Sequence, residues 1–158
     1  MYEVKMYDKI REGINAIAWI DSHSHVVHHN IVRQKTLGPY DVDPVAGLLL
    51  DFDNRLNYQI AGLDSKIVRS ILDGEVPPER QKQILLSYTT VQNQMPYVYL
   101  MKGINELYDL DFRSVDTDNW TKIGSLVKEA RTDFYGLLTR VYLNANIEAA
   151  VLNLWADR

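Results

Sequence analysis

Between residues 3 and 14 (EVKMYDKIREGI) the apolar positions Val4, Met6, Tyr7, Ile10 and Ile14 recur at helical spacing with charges between them. That pattern predicts a short amphipathic helix. The period changes after Asn15. Over 16–23, Ile17, Trp19 and Asp21 fall on one parity and Ala16, Ala18 and Ile20 on the other. Both faces are apolar as far as Ile20, as in a strand buried on two sides, and parallel sheets are built from such strands. Residues 22–42 carry Ser, His, Asn and Gly38-Pro39 without any period and read as a loop. Loops of that length inside compact domains are usually functional or mobile.

Helical signals fill the middle of the chain. Asp43-Pro44 reads as an N-cap followed by a proline at the first helical position, leading into a helix over 44–60. Asp64 can cap a helix running to Leu72, with Gly74 as its stop. Pro77-Pro78-Glu79 opens a long helical stretch over 78–109, with a break expected near Pro96. Asp116 to Asp118 offer caps for a helix through Arg131, and a further helix is expected from about Asp133 to Asn144. Ile147 to Trp155 (IEAAVLNLW) then reads as a second buried strand.

Two strands separated by more than a hundred residues imply a parallel pair whose crossover has grown into a helical subdomain, where a single helix would ordinarily suffice. The expected organisation is 1–42 for the leading helix, first strand and loop, 43–145 for the helical insertion, and 146–158 for the second strand. Two strands alone do not make a stable sheet, and an α/β domain normally continues with further units. The pattern therefore predicts the opening portion of a longer protein. It also predicts that apolar strand residues such as Ile17, Trp19, Val151, Leu152 and Leu154 either drive self-association into a homo-oligomer or leave the strand regions disordered.

Composition narrows the classes. The 158 residues are 46% hydrophobic and 24% charged, ordinary for a globular domain. A formal net charge of −4 argues against a nucleic-acid partner. No apolar run approaches the roughly 18 residues that span a bilayer, so no membrane partner is expected. Met1-Tyr2-Glu3-Val4-Lys5 lacks the regions of a signal peptide, and a cytoplasmic location is the expectation. The absence of cysteine excludes disulfides, thiolate metal sites and a cysteine nucleophile.

Chemistry concentrates at Asp21-Ser22-His23-Ser24-His25, at the end of the first strand. Residues i and i+2 of a strand share a face, so His23 and His25 can direct two imidazoles at one metal ion, with Asp21 one step deeper. Functional residues of parallel α/β folds gather at the carboxyl ends of strands. Nitrogen donors with oxygen co-ligands suit Zn, Fe, Mn or Ni. The competing view is that these are ordinary loop histidines, and spacing alone does not decide between the two. All four histidines lie between residues 23 and 29; His28 and His29 read as solvent-facing loop residues or the rim of a pocket. Arg33, in the same loop, is the candidate for pairing with a substrate carboxylate; Arg55 and Arg69 are weaker candidates, and a surface role is the default for all three. Tyr88, Tyr97, Tyr99 and Tyr108 suit a helix interface better than a ligand wall. The acidic run Asp109, Asp111, Asp116, Asp118 lacks the order of a calcium loop and reads as helix termination and capping.

A leading amphipathic helix followed by Asn15-Ala16-Ile17-Ala18-Trp19-Ile20-Asp21-Ser22-His23-Ser24-His25 resembles the start of the amidohydrolase superfamily, whose first barrel strand is an apolar run ending in Asp-x-His-x-His. The large helical insertion is similar to that of the uronate isomerase-like branch, with Tyr97–Asp111 and Trp120–Ala130 matching helices of it and Ile147–Trp155 standing as the second strand. The resemblance implies an α/β fold: the predominantly helical N-terminal part of a (β/α)8 barrel with two parallel strands. It implies that His23 and His25 bind a divalent metal, Zn foremost, in an enzyme acting on a small-molecule substrate. Such a metal activates water for hydrolysis or holds a sugar acid during isomerisation. The histidines of later strands and the aspartate of the eighth have no counterpart here, so the chain is expected to hold half a metal site and to be inactive alone. The alternative is a stand-alone helical interaction module without catalysis.

Overall fold

A computed structural model describes residues 2–24 and 42–152. In chain order the elements are α1 (Tyr2–Asn15), β1 (Trp19–Ser24), α2 (Pro44–Leu49), α3 (Phe52–Ile60), α4 (Ser65–Leu72), α5 (Pro78–Leu86), a 3-10 turn (Thr89–Asn93), α6 (Met95–Tyr108), α7 (Trp120–Thr132), α8 (Phe134–Asn144) and β2 (Ile147–Leu152). The class is mixed α/β and mostly helical, with one two-stranded parallel sheet. The chain divides into two compact units, one holding α1, β1, α8 and β2 and the other holding α2 to α7. Among the described residues no helix is long and apolar enough to cross a membrane.

The helical unit contains the core. Val45, Ala46, Leu49 and Leu50 at its first helix are buried together with Tyr58, Val68, Ile71, Leu85, Tyr97, Met101 and Ile123 from the helices that follow. The expected caps operate. Asp43 Oδ1 accepts the Val45 and Ala46 amides at 2.8 and 3.3 Å, and Asp64 Oδ1 accepts the Lys66 amide at 2.7 Å. Gly74 ends α4 at φ +71°, a left-handed conformation that glycine adopts without strain.

Two expected helices are broken. The segment 44–60 divides because Asp51 is extended (φ −59°, ψ 159°), ending α2 and leading α3. The stretch 78–109 stops at Leu86, well before Pro96. Tyr88-Thr89-Thr90-Val91 is rich in β-branched residues that lose rotamer freedom in a helix, and the chain there tightens into the 3-10 turn. Pro96 sits in the first turn of α6, where its missing amide costs nothing.

In the other unit β1 and β2 pair in parallel, Trp19 opposite Ile147 and Asp21 opposite Ala150. Asn146 fastens the start of both strands. It takes a left-handed conformation (φ 52°), and its Nδ2 donates to the carbonyls of Asn15 at 3.2 Å and Ile17 at 2.7 Å. Its own carbonyl accepts the Trp19 amide at 2.8 Å. Asp133 caps α8 by accepting the Gly136 amide at 3.0 Å. An ideal Cβ at Gly136 would meet the Asp133 carboxylate as it stands, so a larger residue there makes the Asp133 side chain shift. None of this unit's side chains that are described is buried. Ile17, Ile20 and Val151 are each more than half exposed.

Candidate functional site

Asp21, Ser22 and His23 of the Asp-x-His-x-His run lie toward the carboxyl end of β1, the same end at which β2 reaches Leu152. His23 is the last residue but one of β1. Asp21 is half-buried on the strand. His25, His28, His29 and Arg33 lie outside the described residues.

The pairing adds a feature that spacing alone did not supply. From Asp21 to Ser24 β1 advances three residues while β2 advances two, from Ala150 to Leu152. One extra residue is therefore accommodated in β1 across Ser22 and His23. Such bulges re-aim side chains and are frequent beside active sites. They also interrupt strict alternation, so the shared face expected for Asp21 and His23 does not follow from counting. Among the described residues no group of three or more His, Asp or Glu side chains converges as a metal site. The motif's two imidazoles are of the right chemical type for a divalent metal, but a stable site needs three or four donors.

The other candidates separate clearly. Arg55 and Arg69 line an open cleft of about 430 Å³ with Gln59, Ser65 and Asp73, where Arg69 Nε already faces Asp73 Oδ2 at 3.6 Å in an exposed pair. The tyrosines are largely core. Tyr97 is buried and its Oη accepts the Val115 amide at 2.9 Å, while Tyr58 meets Tyr88 edge-on with centroids 6.0 Å apart. Burial pushes the Tyr58 phenol well above its ordinary range, aided by neighbouring Tyr97. Burial also raises Tyr97, with the Val115 hydrogen bond opposing and Asp116 adding to the shift. Tyr99 is instead exposed at 60%. Asp109 ends α6 at φ 52°, and Asp116 Oδ1 accepts the Asp118 and Asn119 amides, so the acidic run does terminate and cap helices.

Sequence reasoning passed over the side-chain amides of Gln81, Asn54 and Asn57. Gln81 is fully buried; its Oε1 accepts the Asp43 amide at 3.0 Å and its Nε2 donates to the Val76 carbonyl at 2.7 Å. Asn54 Oδ1 and Asn57 Nδ2, one turn apart on α3, find no hydrogen-bond partner among the described residues. It also passed over a polar cleft between the 3-10 turn and the segment preceding α7, lined by Thr89, Thr90, Gln92, Asn93, Arg113 and Ser114. These residues lie on two separated segments, and nothing in their spacing signals a common wall. Comparison with protein-family models, with curated proteins and with solved structures finds no match for this chain.

Proposed function

We propose that the strand-bearing unit is the first part of a metal-dependent barrel enzyme of amidohydrolase type, with His23 and His25 as first-strand metal ligands. The observation that supports this reading is the parallel pairing of β1 with β2, with His23 next to the carboxyl end of β1. The exposed apolar residues on both strands are consistent with a sheet that is extended and covered in the complete enzyme. When bound, the metal would activate water or polarise a small substrate's carbonyl. No catalytic step is assigned to residues of this chain, which supplies two of the donors.

Zinc titration of the chain tests the reading. Two imidazoles should bind at roughly micromolar strength or more weakly, and binding should fade below about pH 6 as imidazole protonates. His23→Ala/His25→Ala should abolish it. Zinc uptake that survives the double substitution in a longer form carrying further barrel strands would remove the assignment. A second reading, a helical interaction module, draws on one observation: the apolar core cluster lies wholly in the helical unit. Expressed alone, residues 42–132 should then fold and retain every binding property of the chain; zinc binding confined to the 23–25 motif decides for the enzyme.

A further inference from the structure

We propose that the helical unit carries a site for a small hydroxylated anion, such as a phosphate monoester of a polyol, in the cleft between the 3-10 turn and the segment before α7. This inference does not depend on the barrel reading, since it concerns the unit with its own core. The cleft has a volume of about 440 Å³, within the range of roughly 300–1,000 Å³ typical of small-ligand sites. Its lining is Thr89, Thr90, Gln92, Asn93, Arg113 and Ser114. That set offers three hydroxyls, two carboxamides and a single guanidinium, with no carboxylate among them. One cation surrounded by neutral donors and acceptors suits one oxyanion group on a ligand that also bears hydroxyls.

Two observations separate this cleft from an ordinary polar groove. Arg113 forms no ion pair and no side-chain hydrogen bond among the described residues, whereas Arg69 of the other cleft is already engaged by Asp73. The wall carrying Arg113 is also held rigidly although it has no regular secondary structure. Asn105 brackets Phe112, donating to its carbonyl at 2.8 Å and accepting its amide at 3.1 Å. Tyr97 Oη accepts the Val115 amide at 2.9 Å. Asn119 donates to the Ser114 carbonyl at 2.8 Å and accepts the Asp116 amide at 2.9 Å. Val91 and Val115, each 1% exposed, anchor the two walls from within the core. A backbone fixed on both sides of Arg113 lowers the ordering cost of binding.

The test is an amide-shift titration of the full chain at low salt with inorganic phosphate, glycerol 1-phosphate and glycerol. Saturable shifts are expected at Thr89–Asn93 and Arg113–Val115, with glycerol 1-phosphate binding more tightly than phosphate and glycerol producing none. Arg113→Gln should weaken glycerol 1-phosphate by about tenfold or more, the worth of a charge-assisted hydrogen bond. Arg113→Lys should recover part of the loss, and Lys66→Gln, on α4 and outside the lining, should change nothing. Thr90→Val supplies an independent probe and should weaken the ester more than phosphate. The proposal is overturned if shifts do not saturate, if Arg113→Gln binds as the parent does, if Arg113→Lys recovers nothing, or if glycerol 1-phosphate gains nothing over phosphate.

Discussion

Replacing Gln81 by Met keeps the side chain's length and volume while deleting both of its polar ends. In the parent, Oε1 takes the amide of Asp43, the residue that caps α2, and Nε2 reaches the Val76 carbonyl at the approach to α5. The substitution thus strands a donor and an acceptor beside a fully buried side chain. Each stranded group costs about 1–3 kcal/mol, and partial access of water to Asp43 reduces the sum. The expected loss is about 2–4 kcal/mol, large against a typical total of roughly 5–15 kcal/mol. Urea unfolding followed by helical circular dichroism should show the midpoint falling with an unchanged slope, which marks a loss of stability without a change in exposed surface. Gln81→Glu sharpens the test. An ionised carboxylate keeps the acceptor for Asp43 but faces the Val76 carbonyl without a proton, so folding raises its pKa. Stability is therefore present below the unfolded value of about 4.3 and lost as pH rises through the folded one. Gln81→Glu should approach the parent near pH 4 and match or fall below Gln81→Met at pH 7. Stability of Gln81→Met within about 0.5 kcal/mol of the parent, or a Gln81→Glu variant indifferent to pH, would refute the reasoning.

At Asn146, side-chain bonding and backbone strain can be separated. Asn146→Gly relieves the left-handed backbone while losing the bonds to Asn15 and Ile17, and Asn146→Ala loses the bonds and adds strain of about 1–2 kcal/mol. Amide exchange along Trp19–Ser24 should accelerate in the order parent, Gly, Ala, and equal rates in all three would contradict the fastening role. The buried phenols of Tyr58 and Tyr97 predict alkaline destabilisation, because both are raised above the ordinary value of 10.0. Their contribution is complete below the unfolded pKa and lost as pH climbs toward the folded values, at up to about 1.4 kcal/mol per pH unit for each phenol. Tyr58→Phe should flatten the decline of urea midpoints above pH 10, and an unchanged slope would place the titration elsewhere.

What was legible in the chain is what depends on near neighbours. Asp43, Asp64 and Asp133 cap helices because the carboxylate and the amides it accepts lie within three residues of each other. The two strands and their parallel pairing were legible from runs apolar on both parities, but the burial that such runs imply is not found, with Ile20 and Val151 more than half exposed. The break at Ser87 was less legible because Pro96 is the stronger helix breaker, while Tyr88-Thr89-Thr90-Val91 already weakens the helix before it. Gln81 lies in Pro-Glu-Arg-Gln-Lys-Gln, a run that reads as a solvated face. Its burial depends on the Asp43 amide, 38 residues away, and no local period carries that information.

The candidate site divides along the same line. His23 and His25 stand out because strand-end imidazoles two residues apart form a recognisable metal-ligand pattern. The register of β1 against β2 is set by residues about 130 positions further along, and it inserts an extra residue between Asp21 and Ser24. In a regular strand, i and i+2 share a face, and Asp21 would stand behind the histidines as an orienting carboxylate. The extra residue falls between Asp21 and Ser24, so strict alternation does not carry through this stretch of β1. Asp21 lies opposite Ala150, half-buried on the strand. The motif names the candidate side chains, and the register of β1 against β2, set far along the chain, decides where alternation along the strand breaks.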